Sequence, residues 1–136
     1  MLIEYIVFFS LIAGGLIAFY LHKPGEPVID YITLQQLKCE SYIERRLYKA
    51  LVSNGYHIRT QVPCGKYRID LTLPEHKIAI ECDGKDFHST PEQKIHDRKK
   101  NAYLRKNGWK VIRFSGRQIN RELKKVISQI NKESKR

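Results

Sequence analysis

An unbroken apolar segment from Leu2 to Leu21 constrains the fold of this chain more than any other feature. Its only charged residue is Glu4, and as a helix rising about 1.5 Å per residue it matches a hydrocarbon core about 30 Å thick. Its large apolar side chains cover all faces of such a helix, whereas a surface helix of a soluble domain has one apolar stripe. We therefore expect residues 1–22 to form a membrane-spanning anchor. A cleaved signal peptide fits less well, because no Lys or Arg precedes the apolar segment.

Helix-breaking residues follow the anchor. Pro24, Gly25 and Pro27 predict a linker over residues 23–32. The remaining residues, 33–136, are sufficient for one small domain with its own core. Because this domain and the flank of the anchor are basic, the positive-inside rule predicts a single-pass protein of the inner membrane with its C-terminal domain in the cytoplasm.

Charge and cysteine content limit the possible partners. The chain has 25 Lys and Arg residues against 14 Asp and Glu residues, a formal net charge of +11. Such a surplus favours nucleic acid or an anionic lipid surface, and charge alone does not choose between them. The three cysteines, Cys39, Cys64 and Cys82, have no CxxC spacing. They indicate neither a disulfide framework nor a zinc site.

Hydrophobic periodicity predicts the order helix, three strands, helix, strand, helix. Ser41 and Glu44 have capping-box spacing at the start of a helix that ends near residue 54, and a start at Thr33 is equally possible. A second helix is predicted over residues 90–107, and a third has an apolar stripe from residue 119 to 130. Strands are predicted over residues 56–62, 66–73, 78–83 and 109–114, the first three as an antiparallel meander.

The alternation of apolar residues fixes the register of the second and third strands, since a one-residue slip would move every apolar side chain to the wrong face. The pairs expected on the core face are Leu73 with Ile78, Leu71 with Ile80, and Ile69 with Cys82. On the other face this register sets Asp70 directly opposite Glu81, and Arg68 opposite Asp83.

Two facing carboxylates need a positive partner. Like charges directly opposite each other destabilise a sheet, so Asp70 and Glu81 require a cation, a shared proton or a basic side chain. Mg²⁺ fits, because it is commonly held by one or two carboxylates together with waters and phosphate oxygens. The alternative is a solvated sheet face on which Arg68 neutralises the acids or forms a cross-strand salt bridge with Asp83.

Four stretches between about Ser41 and Ile130 have a familiar combination of motifs: SYIERRLYKAL, QVPCGKYRIDLTLP, IAIECDGKDFH and HDRKKNAYLRKNGWKVIRF. In these stretches the chain resembles a bacterial family of uncharacterised domains related to the very-short-patch-repair endonucleases, within the PD-(D/E)XK nuclease superfamily. This resemblance implies an α/β restriction-endonuclease-like fold, with a central mixed four-stranded sheet flanked by helices, and Mg²⁺-dependent (or Mn²⁺-dependent) cleavage of phosphodiester bonds in DNA.

The resemblance also assigns roles to single residues. Asp70 matches the metal-binding aspartate of the superfamily, Glu81 its second acidic ligand, and Glu44 the acid of the first helix, although the capping box alone explains Glu44. His88 matches the histidine after the glycine turn, where a capping or surface histidine is an equally good interpretation. The superfamily has Lys two residues after the second acid, but this chain has Asp83 there.

That substitution leaves two questions open. Lys85, Gln61 and His88 are candidates to replace the missing lysine. A site with Asp70, Glu81 and Asp83 could also hold two metal ions.

The expected site can now be stated in full. The predicted catalytic residues are Asp70, Glu81, Asp83, His88 and Glu44. The predicted metal ligands are Asp70, Glu81, the carbonyl of Cys82, and Asp83. The residues expected to contact phosphates are Lys85, Lys94, Arg98, Arg105 and Arg113. His88 would act as general base or would protonate the leaving oxygen, which its ordinary pKa of about 6.5 allows.

Two other functions remain open at this point. A catalytically inactive, membrane-tethered module that binds nucleic acid would keep the fold and lose turnover. An anionic-lipid scaffold would use the anchor and the basic charge, but it leaves the Asp70 and Glu81 pair unexplained. A protein partner or a homodimer could provide sequence preference, because the domain is too small to contain a separate recognition domain.

Overall fold

Four strands form one sheet in the computed structural model, which describes residues 1–22, 30–84 and 90–135. Their order in the sheet is β1-β2-β3-β4. Neighbours pair antiparallel from β1 to β3, and β3 pairs parallel with β4. The strands are β1 (Arg59–Cys64), β2 (Tyr67–Leu73), β3 (Ile78–Asp83) and β4 (Lys110–Ser115). The mixed four-stranded sheet and the antiparallel meander are therefore confirmed.

Helices flank the sheet, and two of the predicted helices are each divided in two. The helices are α1 (Leu2–Leu21), α2 (Tyr31–Lys38), α3 (Tyr42–Ser53), α4 (Pro91–Lys106), α5 (Gly116–Arg121) and α6 (Leu123–Ser134). Ser41 caps α3 as predicted, whereas the earlier helix α2 begins at Tyr31, capped by Asp30, and not at Thr33. The last helix breaks at Glu122, whose backbone (φ −128°, ψ 33°) is outside the helical region.

The core occupies both faces of the sheet. On one face, Leu71, Ile80 and Phe114 pack against α3, α5 and α6. On the other face, Ile69 and Ala79 pack beneath Leu104 of α4. A sheet covered on both sides has little solvated face, so Asp70 and Glu81 on its two central strands are held in a largely buried setting.

The register between β2 and β3 agrees with the sequence as far as Leu71. Leu73 pairs with Ile78 and Leu71 with Ile80. The expectation that Ile69 shares the face of Leu71 is wrong, because Ile69 belongs to the cluster under α4. Ile69 pairs with Val62 of the adjacent strand β1. The residue before Val62 is Gln61, whose backbone is in the left-handed region at φ +52°. This local bend reverses the facing of the side chains beyond it.

The alternative of a cross-strand salt bridge between Arg68 and Asp83 is not formed either. Arg68 pairs with Glu40, which precedes α3. Asp83 pairs with Arg113 of β4, the parallel neighbour of β3. The positions of Glu40 and of β4 give each residue another partner of opposite charge.

Helix α1 lies outside the packed domain. None of its residues is buried, and its mean hydropathy is 2.2. By length and composition it could cross a membrane.

Candidate active site

Glu81 is the central acidic group of the site. It lies near the carboxyl end of β3 and is 3% exposed. Its Oε2 accepts a hydrogen bond from Nζ of Lys100, which α4 places over this face of the sheet. Its Oε1 is buried and has no hydrogen-bond partner among the described residues. A buried carboxylate oxygen without a partner is costly, so a group that could satisfy it is expected nearby.

Burial, and after it the negative charge of Asp70, raise the pKa of Glu81 to about 7. The hydrogen bond and charge of Lys100 and the charge of Arg113 oppose these effects only in part. Glu81 and Asp70 thus place two carboxylates beside Lys100, an arrangement that suits an additional cation.

Asp70 faces the same site from β2. Its Oδ2 accepts a hydrogen bond from the backbone N–H of Cys82 at 2.8 Å, which ties β2 to β3 just beyond the pairs of the ladder. Burial raises the pKa of Asp70, and the N–H of Cys82 lowers it. The charges of Glu44 and Asp83 raise the same pKa, and that of Lys100 lowers it.

Glu44 connects the first turn of α3 to the bend in β1. It is 6% exposed, and its Oε1 accepts from the hydroxyl of Ser41 at 2.7 Å. Its Oε2 accepts from the N–H of Glu40 at 2.9 Å and from Nε2 of Gln61 at 2.8 Å. The Ser41 half of the predicted capping box is formed, because the Ser41 hydroxyl accepts from the N–H of Glu44. The Glu44 carboxylate accepts from the Ser41 hydroxyl and the Glu40 N–H, and it also binds the side-chain amide of Gln61.

Gln61 is the second residue with an unsatisfied buried atom. Its Oε1 has no hydrogen-bond partner in residues 1–22, 30–84 and 90–135. Gln61 Oε1 and Glu81 Oε1 are the two such side-chain atoms in that part of the chain. Glu44, which accepts from Gln61, acts electrostatically on Asp70, so the unsatisfied oxygens belong to one acidic region.

Asp83 is neutralised by Arg113. The guanidinium donates from Nε to Oδ2 at 3.0 Å and from Nη2 to Oδ1 at 2.5 Å. Nη1 donates to Asn101 of α4 at 3.2 Å, and Asp97 lies 3.4 Å from Nη2. A bidentate pair of this kind holds Asp83 in one orientation. Arg113, expected at a phosphate, thus has three protein partners beside the acidic site.

The structure locates most of the other predicted residues. Lys94, Arg98 and Arg105 are exposed along α4. Lys85 and His88 lie outside the described residues.

Lys100 is the residue that the sequence analysis missed. It belongs to the basic run Arg98-Lys99-Lys100, in which no residue is distinguished by type. A signal does exist in the helical spacing. Asp97 lies three positions before Lys100 and the buried Leu104 lies four positions after it, so all three share one face. That face is the one that packs on the sheet.

The donor set suits a hard divalent cation. Within the described ranges, no group of three or more His, Cys, Asp and Glu side chains forms a complete metal site. Mg²⁺ does not need one, since one or two carboxylates with waters and substrate phosphates are sufficient. The unsatisfied Oε1 of Glu81 and the raised pKa of Asp70 fit such an ion.

The mixed sheet, its flanking helices and the acidic site define a protein of the restriction-endonuclease-like class. The model of the restriction endonuclease-like family REase_MTES_1575 matches residues 43–133. The chain belongs to this family.

Other proteins are similar over most of their length. An uncharacterised protein of Haemophilus influenzae is 29% identical over 111 residues, which cover 77% of this chain and 91% of that protein. The uncharacterised protein YcjD of Escherichia coli is 26% identical over 107 residues, covering 76% and 85%. Among solved structures, the catalytic domain of the homing endonuclease I-Bth0305I is similar, with a TM-score of 0.58 and 25% identity. The match covers 68% of this chain and 93% of that domain.

Proposed function

We propose that this chain is a membrane-anchored, metal-dependent endonuclease that hydrolyses phosphodiester bonds in DNA at the site of Asp70 and Glu81. The observation that carries the proposal is the buried, unsatisfied Oε1 of Glu81 beside a second buried carboxylate. Membership of a restriction endonuclease-like family and the likeness to a homing endonuclease catalytic domain support the same reaction class.

Asp70 and Glu81 would hold Mg²⁺ or Mn²⁺ together with the backbone carbonyl of Cys82. When bound, the ion supplies a Lewis acid for the scissile phosphate and lowers the pKa of a bound water. Asp83 is a weaker candidate ligand, because both of its oxygens are engaged by Arg113.

Lys100 provides the positive charge that the motif lysine provides elsewhere in the superfamily. Its ammonium group is within hydrogen-bond reach of Glu81, although it comes from α4 and not from β3. In that position it stabilises negative charge that develops on a phosphate oxygen in the transition state. Arg113 pairs with both oxygens of Asp83 and so offsets part of the negative charge that Asp83 adds to this region.

Glu44 and Gln61 position the end of β1 next to the site. His88, which follows the glycine turn after β3, is proposed as the general acid or base. DNA phosphates would be contacted by Lys94, Arg98 and Arg105 along the exposed side of α4, and such contacts orient the strand without reading its sequence.

The membrane location is part of the proposal. An exposed apolar helix of 20 residues supports an anchor, and the basic remainder of the chain supports a cytoplasmic domain. The active site would then act on DNA close to the inner surface of the membrane.

The experiment uses the full chain in detergent micelles. Supercoiled plasmid and single-stranded DNA are incubated with Mg²⁺, Mn²⁺ or EDTA, and Glu81→Gln is compared with Glu75→Gln. Glu75 is an exposed acid in the turn between β2 and β3, so its variant removes one charge away from the site. We expect metal-dependent cleavage in the wild type and in Glu75→Gln, and its loss in Glu81→Gln.

A second function is favoured by the ion pair between Lys100 and Glu81, which partly neutralises the site without any metal. A folded wild-type protein that binds DNA and cuts nothing in either metal would replace the nuclease with a membrane-tethered, nucleic-acid-binding module.

A further inference from the structure

A basic cleft lies beside the acidic site, between the β1–β2 turn and α4. Its volume is about 460 Å³. We name it the turn–α4 cleft. It is lined by Lys66, Tyr67, Arg68, His96, Lys99 and Lys100. None of these residues was expected from the sequence to contact a ligand.

The cleft has a surplus of positive charge. Arg68 is paired with Glu40 and Lys100 with Glu81. For Lys66 and Lys99, both exposed, the described part of the chain shows no carboxylate partner. Two cationic side chains in a concavity concentrate positive potential there and attract an anion.

The floor of the cleft is aromatic and held in place. The half-buried ring of Tyr67 lies 5.3 Å from that of Tyr103 and 5.7 Å from that of His96, centroid to centroid. Lys66 lies over the Tyr67 ring at 5.3 Å. At the turn, an added Cβ on Gly65 would collide with the Tyr103 hydroxyl, so the absence of a side chain allows the turn to close on α4. The cleft is therefore formed before any ligand arrives.

Lys100 joins the cleft to the acidic site. It lines the cleft, and its ammonium group donates to Glu81. A chain of phosphates that enters along Lys66 and Lys99 would reach the carboxylates at Lys100. A flat lipid surface would not enter such a concavity, whereas a single phosphodiester backbone would.

We infer that the turn–α4 cleft binds the phosphate backbone of DNA next to the bond at the acidic site. This inference rests on the proposed function in one respect: the bound DNA strand is taken to run from the cleft towards the acidic site. Binding itself needs neither metal nor cleavage, so the two ideas fail separately.

The test measures DNA binding in EDTA, where a metal-dependent site cannot cut. The full chain is placed in nanodiscs of phosphatidylcholine, and fluorescence anisotropy of a labelled single-stranded DNA is recorded over a range of salt concentrations. In the cleft variant Lys66→Gln/Lys99→Gln, we expect affinity to fall about tenfold and the slope of log K against log salt to lose about 1.5, since each phosphate contact contributes about 0.7 to 0.9.

The matched control is Lys124→Gln/Lys132→Gln. It removes the same charge from exposed positions of α6, which packs on the opposite face of the sheet from α4. We expect its affinity to change less than about twofold, because long-range attraction between exposed charges is largely screened at physiological salt. Glu81→Gln is expected to bind DNA at least as well as the wild type.

Three outcomes would overturn the inference. Equal losses in the cleft and control variants would mean that binding follows net charge alone, and no loss in either would place the DNA elsewhere. The third outcome concerns the membrane, and it is measured by hydrogen exchange of the protein in nanodiscs that contain phosphatidylglycerol. Protection of residues 66–68 and 96–100 by the anionic lipid, with none added by DNA, would assign the cleft to the membrane surface.

Discussion

Lys100 of α4 and Glu81 of β3 form a nearly buried ion pair, although 19 positions separate them in the chain. Their side chains are 14% and 4% exposed. The pair joins the helix on one face of the sheet to the acidic centre. It also brings a lysine to the site, although the position two residues after Glu81, where the superfamily has Lys, is occupied by Asp83.

Replacing Lys100 should affect both stability and cleavage. Lys100→Met leaves the buried carboxylate of Glu81 without its charged partner, and breaking a buried pair in this way costs about 3 kcal/mol. We expect urea unfolding to show that loss, and plasmid cleavage to fall at least about 100-fold, comparable to losing one transition-state donor. Lys100→Arg keeps the charge and should retain most of the stability.

The control for this prediction is Lys106→Met, which removes an exposed lysine at the end of the same helix. It should leave unfolding and cleavage unchanged. Full cleavage by Lys100→Met, in protein shown to be folded, would contradict the role of Lys100.

Stability without metal should depend on the ionisation of Glu81. Its pKa is about 7 in the folded protein and 4.5 in the unfolded chain. Between these values the folded state holds a proton that the unfolded state has lost, so the free energy of unfolding decreases as the pH rises from about 4.5 to about 7. At about 1.4 kcal/mol per pKa unit the loss reaches about 3 kcal/mol.

Thermal unfolding in EDTA from pH 5 to pH 8 measures this effect. Glu81→Gln cannot titrate, so its melting temperature should decline less than that of the wild type over this range. Parallel curves for the two proteins would show that Glu81 keeps an ordinary pKa.

Divalent metal should reverse that loss. A cation that binds the ionised pair of Asp70 and Glu81 favours the folded state, with a gain of about 2.7 kcal/mol at a hundredfold excess over the dissociation constant. At pH 8 we expect Mg²⁺ or Mn²⁺ to raise the melting temperature of the wild type but not that of Asp70→Asn or Glu81→Gln. This readout does not require turnover. An equal rise in all three proteins would indicate binding outside this site.

The sequence predicted the parts of the site that depend on local pattern. Apolar alternation in β2 and β3 was enough to pair Leu73 with Ile78 and to bring Asp70 and Glu81 to the same region. The cap at Ser41 and its contact with the Glu44 side chain followed from their spacing.

Tertiary contacts decided what the sequence could not show. The side chain of Gln61, which has a left-handed backbone conformation, donates to Glu44 of another element, and the sequence of β1 alone does not predict the bend at which Ile69 turns to the other face. Likewise Lys100 is one basic residue among several on α4, and only the packing of that helix on the sheet directs it to Glu81. Contacts that form only when separate helices and strands pack together leave no periodic pattern in the sequence.

The Gly65 turn provides a test of how the turn–α4 cleft is built. Gly65 and Gly55 both have positive φ, +58° and +84°, so alanine is strained at either position. An added Cβ at Gly55 meets nothing within 4 Å, whereas at Gly65 it would collide with the hydroxyl and ring of Tyr103. Gly55→Ala should cost about 1 kcal/mol, and Gly65→Ala about 1 to 3 kcal/mol more, because overpacking adds to the backbone strain.

Tyr103→Phe removes the nearest colliding atom and should recover part of the Gly65→Ala loss while leaving Gly55→Ala unaffected. This double-mutant cycle, measured by urea unfolding, separates the contact between the turn and α4 from the conformational strain that both glycines share. DNA affinity in EDTA should follow the same order, since Gly65→Ala alters the turn that carries Lys66 and Gly55→Ala does not. Equal destabilisation by the two alanines would mean that the turn can move away from α4, and the cleft would then not be fixed before binding.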